Sequence, residues 1–145
     1  MNERFDFEQI LVPYNATFGA EKGLKAAVDF AKKVDGKITL ITCVENQSIL
    51  SFFKKGKNEK FIEQKKIIDN ELRKIESKIK EIRPIKHVIL KSSFAPETIV
   101  EYAQKNKMDI VIVGQTQLSK SDIKYHESMA NYLTKGLKCP LLIIK

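Results

Sequence analysis

The sequence predicts an α/β fold: one doubly wound, five-stranded parallel sheet with helices on both faces, in a single domain spanning 1–145. Two observations carry this. Five short apolar runs, at 10–12, 38–44, 88–90, 110–113 and 141–144, alternate with longer segments of helical period. Four of the five are continuously apolar, as strands are when helices cover both faces of a parallel sheet. Strict β-α alternation then implies right-handed crossovers, and 145 residues is an ordinary size for one core.

Taken in order, the first run ends at Pro13 and is followed by a helix over 18–34. Ala20, Leu24, Ala27, Val28 and Ala31 form its apolar stripe, Lys32 and Lys33 sit in its last turn, and Gly36 is the expected stop. A second helix is predicted over 58–82, where Phe61, Ile68, Ile75 and Ile82 recur every seven residues with Leu72 and Ile79 between them. Three heptads with Lys65 in the seam are few for a coiled coil, so packing on the sheet is the expectation. The third helix begins near Pro96, a residue suited to a first turn, and ends near Asn106. The fourth runs from Ser128, a good N-cap, to Gly136.

Composition narrows the function classes. Hydrophobic residues make up 43% and charged residues 30%, enough for a packed core. No apolar run approaches the ~18 residues that span a bilayer, and the start Met-Asn-Glu-Arg-Phe has no signal pattern. A cytoplasmic protein with no membrane partner is expected. Cys43 and Cys139 match neither a metal spacing nor a disulfide framework and read as ordinary thiols. Of the net charge of +8, residues 54–86 supply +6, with twelve basic and six acidic side chains. Such a patch can attract a polyanion. A solvated helix face accounts for it more simply, since Asp69/Arg73 and Glu76/Lys80 are opposed i,i+4 pairs. No aromatic follows Phe61 within the patch to stack on bases, so nucleic acid is not the expected partner.

In a sheet of this type ligands bind beyond the carboxyl ends of the strands, where strand order reverses. The segments to inspect are therefore 14–19 and 114–127. Neither a phosphate-cradling G-x-x-x-x-G-K-[ST] loop nor G-x-G-x-x-G occurs. His87 opens the third strand at its amino end, away from that site, and His126 lies in the long loop. A lone histidine of this kind is expected at the surface, and neither has the companions of a metal site. Ser119, Ser121 and Ser128 have no base placed beside them, so no catalytic residue is assigned and the chain is not expected to be an enzyme.

Two stretches taken together resemble the universal stress protein family. One is Ile10-Leu11-Val12-Pro13 before a short polar turn and a helix. The other is Asp109-Ile-Val-Ile-Val-Gly114, a long loop, a Ser-started helix and Cys139-Pro140-Leu-Leu-Ile-Ile-Lys145. The resemblance covers nearly the whole chain, with Pro96-Glu97-Thr98 fitting the third helix start. It implies the five-stranded doubly wound fold and a cytoplasmic homodimer. The dimer would pair through the terminal strand Leu141, Leu142, Ile143 and Ile144 and act in stress response or regulation through an unidentified protein partner.

Many members of that family bind ATP through G-x-x-G, nine residues, then G-[ST]. Carried onto this sequence, the pattern is anchored at Gly114, but its second and third glycines fall on Gln117 and Glu127. The hydroxyl is kept as Ser128, with Met129 after it. Asn15 stands where the family has Asp, two residues after Pro13, and Val44 fits the position whose backbone meets adenine. Glu127 would set a carboxylate beside phosphate. At about 5 Å and an effective dielectric of about 20 the repulsion is ~3 kcal/mol, roughly a hundredfold in affinity. The resemblance thus implies a degenerate site that holds ATP or AMP weakly. An adenine-nucleotide-binding member using an altered loop and a basic nucleic-acid-binding protein are the alternatives.

Overall fold

The computed structural model describes residues 6–14, 18–45, 62, 65–67, 69, 70, 73, 74, 85–115 and 131–145. Its strands are β1 (Gln9–Pro13), β2 (Lys37–Glu45), β3 (Lys86–Ser92), β4 (Ile110–Gly114) and β5 (Leu141–Ile144). They form one parallel sheet in the order β3-β2-β1-β4-β5, the doubly wound arrangement the apolar runs imply. Helix α1 (Phe18–Val34) joins β1 to β2, and helix α2 (Ala95–Lys105) joins β3 to β4. Residues 131–136 are helical ahead of β5, and 62, 65–67, 69, 70, 73 and 74 are helical within the segment that joins β2 to β3. The remainder of the second predicted helix, and the expected start of the fourth at Ser128, lie outside the described residues.

Period-two alternation along the strands divides the core into two layers. Ile10, Val12, Ile38, Leu40, Ile110 and Ile112 pack beneath Ala20, Leu24, Ala27, Val28 and Ala31 of α1, so the predicted stripe is the buried one. On the other face Leu11, Ile41 and Val111 meet Ile99 and Ala103 of α2 and Leu133. Cys43 and Cys139 carry thiols rather than a disulfide and are partly buried against this second layer. Among the described residues, no helix is long and apolar enough to cross a membrane.

Four strands extend beyond their predicted bounds: β1 and β4 take in Pro13 and Gly114, whereas β2 and β3 continue into charged and polar residues at both ends. Pairing, not hydrophobicity, sets those limits. The register pairs Pro13 with Ile41 and Ile41 with Val88. From that level β2 runs on to Glu45 and β3 to Ser92, four residues each, or about 13 Å at ~3.3 Å per residue. β1 ends at Pro13 and β4 at Gly114, so the carboxyl side of the sheet is stepped.

The end of α1 also differs from expectation. The left-handed residue is Asp35, with φ 54°, and Gly36 follows it, its N–H donating to the Ala31 carbonyl at 3.0 Å. Gly36 is required for space: a Cβ there would lie 2.7 Å from Ile10 Cδ1 and 2.9 Å from the Phe7 carbonyl oxygen. Helix α2 ends the same way, with Lys107 at φ 50° and the Met108 N–H on the Ala103 carbonyl at 3.0 Å.

Candidate functional site

The strand order places β1 and β4 side by side although the chain winds outward from them in opposite directions. Their carboxyl ends, Pro13 and Gly114, therefore flank the crevice at which such sheets take ligands. Helix α1 closes one side of it. A Cβ on Gly23 would lie 2.6 Å from Gly114 N, 3.1 Å from its Cα and 3.2 Å from Val113 C, so the helix backbone rests directly on the end of β4. The first turn of α1 thus lies at the same end of the sheet, where helical N–H groups favour anions.

The other side is the overhang of β2 and β3. Val44 lies in it, paired with Lys91, three residues beyond the level of Pro13. The structure therefore brings Pro13, Gly114 and the Val44 backbone to one end of the sheet. Asn15, Gln117, Glu127, Ser128 and Met129 lie outside the described residues. Of the terminal strand, Leu142 and Ile143 are 38% and 41% exposed, and Leu141 and Ile144 are half-buried against the core layers. β5 pairs with β4 along one side and, among the described residues, has no further strand beside it.

A polar connection that the sequence does not announce runs beside the crevice. The Tyr14 N–H donates to the Ile41 carbonyl at 2.9 Å, and Thr42 Oγ1 donates to the Tyr14 carbonyl at 2.7 Å. His87 Nε2 lies 3.3 Å from the same Thr42 oxygen, and His87 Nδ1 lies 3.4 Å from Asp69 Oδ1. His87 is thus no surface residue: its side chain is 11% exposed. The expectation fails because of the stagger in register. Pairing of Leu40 with His87 brings the start of β3 level with Val12, near the end of β1.

At the end of β3, Ser92 Oγ accepts the Phe94 N–H at 3.1 Å and lies 2.6 Å from Thr98 Oγ1. This ties the turn into α2, whose N-cap Phe94 offers no side-chain bond of its own. Phe94 stacks edge-on against Tyr132, with centroids 5.2 Å apart. At the opposite end of the sheet a cavity of about 460 Å³ is lined by Ala103, Gln104, Met108, Leu137, Lys138 and Cys139. It lies at the amino ends of β4 and β5, away from the switch-point crevice at which such sheets take ligands. Burial pushes the Cys139 thiol pKa up, partly offset by a backbone hydrogen bond and reinforced by the Asp109 carboxylate.

The comparisons agree with this architecture. Universal stress protein MJ0531 of Methanocaldococcus jannaschii is 25% identical over 140 residues, 96% of this chain and 82% of its own length. The structure of universal stress protein UspA from Lactobacillus plantarum superposes with a TM-score of 0.75 at 17% identity, covering 99% of this chain and 100% of that one. The universal stress protein from Archaeoglobus fulgidus in complex with dAMP gives 0.69 at 19% identity over 97% and 99% of the two chains. A universal stress protein in complex with cAMP gives 0.72 at 18% over 97% and 98%. At these identities the superpositions speak for the fold. The model of the universal stress protein family itself matches residues 6–145, taking in every strand described above, and the chain belongs to that family.

Proposed function

We propose that this universal stress protein is a cytoplasmic homodimer, paired through β5, that acts in stress response or regulation through a protein partner without catalysis of its own. In this reading it holds adenine nucleotide, ATP or AMP, weakly in the crevice between Pro13 and Gly114. The observation that carries it is the meeting of β1 and β4 at the reversal of strand order, with Gly114 at the rim and α1 against it. The relatives solved with dAMP and with cAMP support an adenine nucleotide as the ligand class. Weak binding rests on Gln117 and Glu127, which stand at the family's glycine positions. The exposed apolar pair Leu142 and Ile143 on the last described strand of the sheet supports dimerisation.

Isothermal titration at one salt concentration tests the nucleotide reading. The wild type is expected to bind ATP with a Kd above roughly 100 μM, weaker than about −5.5 kcal/mol. Gln117→Gly with Glu127→Gly removes the obstruction and the ~3 kcal/mol repulsion together, and is expected to bind at least ~30-fold tighter. Adding Asn15→Asp should tighten binding further. Tight binding by the wild type would replace this reading with that of an adenine-nucleotide-binding member using an altered loop. No gain in the double variant would mean that other groups close the crevice. Affinity for nucleic acid that falls steeply with salt and ignores nucleotide would favour a role for residues 54–86 instead.

A further inference from the structure

We propose that His87 is a proton-dependent tie between the helical segment that includes Asp69 and the carboxyl end of β1, so that the anchoring of this segment changes with pH between about 5 and 8.

Donors and acceptors at the ring balance only when it is protonated. Thr42 Oγ1 has a single hydrogen, and the bond to the Tyr14 carbonyl at 2.7 Å, in buried surroundings, uses it. Toward the imidazole that oxygen therefore offers a lone pair, and Nε2 at 3.3 Å must carry a hydrogen to bond it. On the other side Asp69 Oδ1, 3.4 Å from Nδ1, is an acceptor when ionised, so Nδ1 must also carry a hydrogen. A neutral ring has one N–H and satisfies one partner; the imidazolium satisfies both. With the proton removed, one of the two contacts sets lone pair against lone pair.

Among the described residues, charges near the ring come from two elements. Asp69 faces it from the helical segment at 43% side-chain exposure, with Lys65, Lys66, Arg73 and Lys74 exposed on the same segment within five positions of Asp69. On β3, Lys86 is exposed next to His87, and Lys91 is exposed on the same face of the strand. On β2 the ring meets the neutral Thr42. The lysines weaken the pull of Asp69 on the ring, and solvent at Asp69 screens it, so the effect is modest rather than large.

The direction follows from which state binds the proton. In the proposed tie, two partners that the unfolded chain lacks hold the protonated ring against the desolvation cost of its 11% exposure, so the tie contributes stability at low pH and loses it as pH rises. The far end of the connection is the carbonyl of Tyr14, the residue next to Pro13, so the same proton also bears on the end of β1. The inference does not depend on nucleotide binding.

The experiment uses the full chain. The two histidines are separated in the NMR spectrum by His126→Gln, and the ¹⁵N shifts of the His87 ring are followed from pH 5 to 8. Both nitrogens should report N–H at pH 5.5, and one should lose it by pH 8. In parallel, urea unfolding is compared for wild type, His87→Gln and Asp69→Asn. The folding constant of the wild type relative to His87→Gln should fall about fivefold between pH 5.5 and 8, and that fall should be absent against an Asp69→Asn background. A ring that is neutral at pH 5.5 overturns the proposal. So does an equal pH dependence in wild type and His87→Gln. Should His87→Gln not fold, the ring shifts of the wild type decide alone.

Discussion

Replacing Gly23 by Ala separates two opposite physical effects. An Ala in the interior of α1 is favoured over Gly by about 1 kcal/mol of helix propensity, so at an exposed position the change would stabilise. Here the added Cβ lies 2.6 Å from the Gly114 nitrogen and 3.1 and 3.2 Å from two further backbone atoms. Ordinary contact needs about 3.5 Å or more, and no side-chain rotation can relieve a clash with main chain. Either α1 lifts from the sheet by nearly an ångström, loosening Leu24 and Ala27 above β4, or the end of β4 moves. Overpacking of this kind costs about 1–3 kcal/mol. Its upper half applies, because the obstacle is backbone, and the net expectation is a loss of about 1–2 kcal/mol. For a chain of 145 residues that is roughly 3–6 °C in Tm. Urea unfolding should show a lower midpoint at unchanged m-value, since the surface exposed on unfolding is nearly the same. A variant as stable as the wild type, or more stable, would show that α1 does not rest on Gly114 and would withdraw the close approach as a feature of the crevice.

Asp35 and Lys107 hold positive φ with a Cβ present, so Asp35→Gly and Lys107→Gly should each raise stability by about 0.5–1 kcal/mol; a loss in both by chemical unfolding would contradict the left-handed helix ends. Leu142→Lys with Ile143→Lys should convert a particle near twice 16.6 kDa into a monomer by light scattering, whereas a wild type already monomeric at micromolar concentration removes the dimer. Because burial raises the Cys139 pKa, its alkylation by iodoacetamide, followed by peptide mass spectrometry, should lag behind a free thiol at pH 8 and still be climbing above pH 9; a rate equal to the free thiol would contradict that environment.

The strand centres and the buried stripe of α1 were readable because burial on both faces leaves a simple mark, a run with no polar interruption. The strand ends were not. Lys37, Glu45, Lys86, Lys91 and Ser92 belong to strands because a neighbouring strand offers partners for their backbones, and nothing in a side chain records how far two strands slide past each other. The same missing quantity misplaced His87: its position in β3 was right, but its height relative to β1 depends on register. Gly36 was expected to supply conformation and instead supplies room, with Asp35 taking the left-handed angle. An isolated glycine amid Glu21, Lys22, Leu24 and Lys25 was the available sign of Gly23, since glycine inside a helical pattern points to a packing reason. Of the candidate site, Pro13, Val44 and Gly114 lie on one side of the sheet because all three are at or near strand ends that a parallel sheet must collect there.

The stepped end of the sheet carries a consequence for how the molecule opens. Past the level of Pro13, β2 and β3 pair, among the described residues, only with each other, from Thr42 opposite Ile89 to Glu45 opposite Ser92. Two strands without a third are marginal in water and twist more steeply than a wide sheet. Their amides are the ones that brief, local fraying would release to solvent, ahead of Leu11 or Ile112, whose exchange waits on opening of the whole core. The amino side is fastened instead: Asp109 and Gln9 bond each other twice, backbone to side chain and backbone to backbone, at 2.8 Å each. Hydrogen exchange is therefore expected to be faster at the β2–β3 tip beside the crevice than at the far end.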